Sequence, residues 1–190
     1  MKKDYNRNWR FKLLSFGVLV GSLFIYGSSL AQLSGTYTVN SAGGGDFTSL
    51  TAVVDTLNSK GVSGAVTINV VASSGPYTGA LEFSEVIGTA TNTIVFNGNG
   101  NRITESSGST VEFSECEYMT FDNFIIEASG NGTQMRCVHI RDESDHITIS
   151  NCELNMPNMT NTGNTNMYLY IGNGTASIYT YSSAGSNCLI

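Results

Sequence analysis

Between positions 141 and 146 the sequence gathers Arg141, Asp142, Glu143, Asp145 and His146. A guanidinium, several carboxylates and an imidazole at that spacing could supply a general base, oxygen ligands for a divalent cation and a proton carrier. Arg141, Asp142, Asp145 and His146 are therefore the candidate catalytic residues. A second set, Glu112, Asp122, Glu127 and Glu153, alternates with apolar neighbours and should face solvent from adjacent strands, where stacked carboxylates either hold Ca²⁺ or form a hydrated face. Tyr168, Tyr170, Tyr179 and Tyr181 form the alternating pairs "YLY" and "YTY". Such a strip either stacks on the apolar faces of sugar rings, making these four the candidate glycan-binding residues, or lines a half-buried sheet. No resident cofactor is expected, and Ca²⁺ is the ion these carboxylates could hold.

The elements that would carry these residues are read from periodicity. A short strand at 36–39 leads through Gly43, Gly44 and Gly45 to a helix over 46–61, whose apolar residues Leu50, Val53, Val54 and Leu57 fall on one face. Asp46 or Thr48 is the expected N-cap and Gly61 the stop. One amphipathic helix followed only by strand-like segments is expected to cap the open end of a β-structure. Those segments, among them 66–71, 80–83, 93–96 and 108–113, are short, alternate apolar with polar residues and are separated by Gly, Asn and Ser turns.

Repetition decides between a sandwich and a solenoid. Val111, Phe113, Met119, Phe121, Asn123, Phe124 and Ile126 align on Val138, Ile140, Ile147, Ile149, Asn151, Cys152 and Leu154, offset by 27 for the first two pairs and 28 for the rest. A near-constant repeat of this length is one coil of a parallel β-helix, with apolar residues stacked inside and Asn123 over Asn151 in an amide ladder at a turn. The polar set at 141–146 then occupies the place held one coil earlier by Ser114, Glu115, Cys116, Glu117 and Tyr118, where no catalytic set is visible, so a solvated turn is the plainer expectation. A third, partial match puts Cys188 and Ile190 over Ile147 and Ile149. Because the sequence stops there in mid-coil, it is expected to be part of a longer chain.

The start of the chain carries Lys2, Lys3, Arg7, Arg10 and Lys12 ahead of an apolar run over 13–26, then Ser29, Leu30 and Ala31, the pattern of an export signal cleaved after Ala31. The part that follows has 4 basic and 14 acidic residues, a net charge of −10. That balance argues against nucleic acid, whose affinity rests on cationic contacts to phosphate. No membrane partner is expected once the signal is removed. Cys116, Cys137, Cys152 and Cys188 match no zinc spacing and contain no CxxC, so they are expected to be mostly buried thiols, with Cys116 and Cys137 the first pair to test for a disulfide.

The stretches "GTYTVN", "GGDFTSLTAVVDTLNSKGVSGAVTINV", "GPYTG", "TNTIVFNGNG", "YMTFDNFIIEASG" and "HITISNCELN" resemble secreted Bacteroidetes-type proteins with right-handed parallel β-helix repeats, often exported by the type IX system. The resemblance covers 35–190 and implies a pectin-lyase-like fold. Members of that wider fold include enzymes that cut acidic polysaccharides. The expected organisation is a signal peptide at 1–31, an N-terminal strand and capping α-helix at 32–64, and incomplete coils of an all-β, right-handed parallel β-helix at 65–190. The expected function is a secreted or cell-surface module, binding a polysaccharide or cell-surface glycan or serving an adhesive or structural role. The alternative is the N-terminal part of a polysaccharide lyase or glycoside hydrolase.

Overall fold

The computed structural model describes residues 31–160, 166–172, 178–180 and 188–189. The expected signal peptide, apart from Ala31, lies outside them, as do Tyr181 and Ile190. The chain runs β1 (Leu33–Val39), α1 (Leu50–Lys60), β2 (Val62–Val70), β3 (Tyr77–Thr78), β4 (Leu81–Ser84), β5 (Ile94–Glu105), β6 (Ser109–Ser114), β7 (Glu117–Ala128), β8 (Arg136–Arg141), β9 (Asp145–Ser150), β10 (Glu153–Asn155), β11 (Met167–Ile171), β12 (Ile178–Thr180) and β13 (Cys188–Leu189). Parallel pairing winds β1 to β11 into a right-handed β-helix of about 5 turns. One sheet runs β1-β2-β5-β7-β10, with β9 also on β7, and the other runs β4-β6-β8-β11.

The register is the one that the repeat predicts. Val111 pairs with Val138 and Phe113 with Ile140. Met119 pairs with Ile147, Phe121 with Ile149, and Ile126 with Leu154. Like therefore stacks on like inside the coil: Phe83 lies on Phe113 with ring centroids 5.3 Å apart, Phe96 on Phe121 at 4.6 Å, and the two ladders meet edge to face. Such aromatic pairs add to the stabilisation that burial alone provides.

Three kinds of corner let each coil turn, and all use the left-handed backbone. Glu85, Glu115 and Asp142 hold φ of 55°, 53° and 50° at the end of one sheet, Tyr118 and His146 hold 55° and 53°, and Asn123 and Asn151 hold 56° and 52°. Short polar residues tolerate this region better than branched ones. The amide ladder expected between Asn123 and Asn151 does not form, because the Asn151 amide donates instead to the Asp122 carboxylate at 2.7 Å. An amide ladder is found elsewhere, from Asn97 to Asn69 at 2.7 Å.

The helix is shorter than expected. It starts at Leu50, with Ser49 as N-cap accepting from the Ala52 amide, while Gly61 closes it. Asp46 cannot cap because its carboxylate accepts from the Thr38 amide at 2.7 Å, and Phe47 is bridged to Val39. Leu50, Val53, Val54 and Leu57 are buried as predicted.

The last two strands depart from the repeat. β12 pairs antiparallel with β11, and β13 antiparallel with β10, so Cys188 stands beside Leu154 instead of over Ile147. Only six residues separate Ile171 from Ile178. A parallel return needs a crossover of a dozen residues or more, whereas an antiparallel one needs only a turn. Cys116, Cys137 and Cys152 are buried thiols, and no disulfide joins Cys116 to Cys137. Burial pushes the Cys116 and Cys152 thiols up from their usual range.

Candidate functional site

The candidate site grows out of one outward row of the β4-β6-β8-β11 sheet. Since Val111 and Phe113 point inward on β6, and Val138 and Ile140 do so on β8, the residues between them must point out. Glu82, Glu112, His139 and Tyr170 thus occupy successive places in one row. A second row, one step along, sets Ser84 beside Ser114 and Ser114 beside Arg141. Glu112, His139 and Tyr170, with Arg136, Arg141, Asp142 and Gly172, line a recess of about 370 Å³.

Inside it the groups interlock. One Glu112 oxygen accepts from His139 Nδ1 at 3.0 Å and the other from Arg141 Nε at 2.8 Å. Arg141 also pairs with Asp142, which accepts from the Ser114 hydroxyl at 2.9 Å. His139 Nε2 faces the Gly172 carbonyl at 3.3 Å, so both ring nitrogens meet an oxygen that accepts. The imidazole lies 4.7 Å from the Tyr170 ring, and the Arg136 guanidinium sits over the same ring at 4.7 Å. The hydrogen bond from His139 holds the Glu112 carboxyl down at about 2, against the opposing effect of burial, and Arg141 adds to the lowering.

The two candidate sets are rearranged. Of the 141–146 stretch, only Arg141 and Asp142 reach the recess. Asp145 and His146 open the next strand, β9, where both are exposed, pair with each other at 3.0 Å, and stack on Tyr118 through the imidazole at 4.1 Å. The left-handed residues Asp142 and Glu143 turn the chain between the two halves, so the stretch is not one constellation. The carboxylates of the second set also have separate partners. Glu112 belongs to the recess, Asp122 accepts from Ser150 and Asn151, Glu127 pairs with Arg102, and Glu153 accepts from Asn155. Those bonds, Ser150 first, lower the Asp122 carboxyl below its usual range. Among the described residues no three His, Cys, Asp or Glu side chains gather as a metal site.

Tyr168 and Tyr170 are not laid out as an open strip. Tyr168 is 5% exposed within the core, and Tyr170 is 6% exposed under Arg136 and beside His139. The backbone of Tyr179 pairs with that of Tyr170. Sequence reasoning missed His139 and Arg136. The signal for His139 was present: once Val138 and Ile140 are aligned on Val111 and Phe113, the intervening histidine must stand over Glu112. Arg136 was harder to see, because a lone arginine opening a strand announces nothing until the Tyr170 ring is placed beneath it. The chain matches no protein-family model, no curated protein and no solved structure.

Proposed function

We propose that the chain is an exported β-helix module that binds a glycan in the recess over β6, β8 and β11. The observation that carries this reading is the convergence of a carboxylate, an imidazole, two guanidinium groups and a tyrosine ring from three successive strands on one outward face. The recess volume, about 370 Å³, falls within the range of small-ligand pockets, and Arg, His and Tyr side chains both hydrogen-bond and stack against sugar rings. Export is supported by the five basic residues and the apolar run at the start of the sequence. An acidic balance in the remainder suits an extracellular protein and offers little to nucleic acid.

Binding without catalysis fits the electrostatics better than turnover. With its carboxyl near 2, Glu112 is ionised at neutral pH and has no proton to donate as an acid. Both His139 ring nitrogens face acceptor oxygens of the chain itself, Glu112 at 3.0 Å and the Gly172 carbonyl at 3.3 Å. The second reading, a polysaccharide lyase or glycoside hydrolase, draws on the same carboxylate, imidazole and guanidinium set, and would require substrate to break the bond between His139 and Glu112 or Gly172.

The test is to measure binding of the exported protein to neutral and acidic polysaccharides, with and without Ca²⁺, while following absorbance of the unsaturated product and release of reducing ends. Binding without product, weakened in His139→Ala, is the expected result. Product formation would replace this reading by the enzymatic one. Absence of both binding and product would refute the glycan reading.

A further inference from the structure

We propose that the glycan taken by this recess is anionic, its oxyanion, a carboxylate or a sulfate ester, being held by the Arg136 guanidinium against the Tyr170 ring. The inference rests on the glycan reading of the recess and adds the chemistry of the ligand. Residues 32–190 contain four cationic side chains, Lys60, Arg102, Arg136 and Arg141, against fourteen acidic ones. Two of the four line this one recess. Arg102 is paired with Glu127, and Arg141 is held between Glu112 and Asp142. Arg136 has no carboxylate partner among the described residues; its guanidinium lies over the Tyr170 ring, and its Nε is buried without a hydrogen-bond acceptor.

A buried donor left unmade is costly, and a guanidinium in a chain this acidic would ordinarily find a carboxylate. Packing against an aromatic face fixes its plane, which leaves a pre-oriented fork of N–H donors. A guanidinium fork matches a planar carboxylate or two oxygens of a sulfate ester equally well, so the two sources share one recognition chemistry. The acidic groups of the recess do not compete for it, because Glu112 and Asp142 both bind Arg141. The wall they form with His139 keeps the floor of the recess fixed while Arg136 meets the ligand.

The experiment measures binding of the exported protein to alginate, dextran sulfate and uncharged dextran at low and raised salt, for the native chain and for Arg136→Ala, Arg136→Lys and Arg102→Ala. Thermal unfolding verifies that each variant is folded. Expected are binding to one or both charged polymers with little to dextran, weakening with salt, roughly ten-fold or greater loss in Arg136→Ala, a smaller loss in Arg136→Lys, and no change in Arg102→Ala. Alginate alone would identify a carboxylate and dextran sulfate alone a sulfate ester, either in support. Dextran binding as tight as the charged polymers, or a folded Arg136→Ala variant indistinguishable from Arg102→Ala, would overturn the anionic assignment while the glycan reading stood. No binding to any polymer would overturn both.

Discussion

At the residue scale, the polar groups of the recess differ from ordinary surface charges in having directional partners on neighbouring coils. Glu112 joins His139 and Arg141 of the next strand, so its ionised form is stabilised by the fold, and the sign of the pH dependence follows. The folded carboxyl lies near 2 against 4.5 when free, so its contribution is fully present above 4.5 and is lost as pH falls from there through 2. With the side chain 21% exposed, that contribution is about 2 to 3 kcal/mol after allowance for screening. Urea unfolding followed between pH 6 and 2 should show this slope in the native chain and its loss in Glu112→Gln; equal slopes would mean the carboxylate is not so held. The row that builds the site was legible in the sequence as far as the alignment of 111–113 on 138–140 carried it. What could not be read was the left-handed Asp142 and Glu143 corner, which sends Arg141 and His146 to different faces.

At the scale of elements, boundaries were settled by which donor reached which acceptor first. Four apolar residues at helical spacing predicted α1 and its buried face, but its start depended on Asp46 being drawn to the Thr38 amide, a contact eight residues away that no local pattern contains. Replacing the actual cap, Ser49→Ala, should cost about 1 kcal/mol of stability, measured by chemical unfolding, whereas Thr48→Ala should cost almost nothing. A second boundary depends on space. Gly98 stands where a Cβ would lie 2.5 Å from the Asn123 carbonyl oxygen and 2.5 Å from the Phe124 ring, both on the neighbouring strand β7. Gly98→Ala must therefore push β5 away from β7, and a loss of about 1 to 3 kcal/mol is expected. Gly100, with open space around its Cβ position but φ of 73°, should show a smaller loss on the same substitution, arising from backbone strain alone.

At the scale of the whole molecule, a solenoid distributes stability differently from a globule, because each coil packs mainly on the coils before and after it. The near-constant repeat made this architecture legible, and it failed only after β11, where the connection became too short for another coil. The aromatic ladders make the middle coils the most interdependent part. Phe113 is fully buried, stacks on Phe83 and meets Phe121 edge to face. Phe113→Ala should remove about 3 to 5 kcal/mol, roughly a 10 °C fall in melting temperature for a domain of this size. The loss should also be local. Hydrogen exchange is expected to rise in β4, β6 and β8, which flank the cavity, before it rises in β1 and β2, whose core of Val39, Val66 and Ile68 lies at the capped end. A uniform rise along the chain would instead mean that the coils unfold as one unit. In that case the row carrying Glu112, His139 and Tyr170 would share the stability of the entire β-helix, and binding there should protect the capped end as strongly as the recess itself.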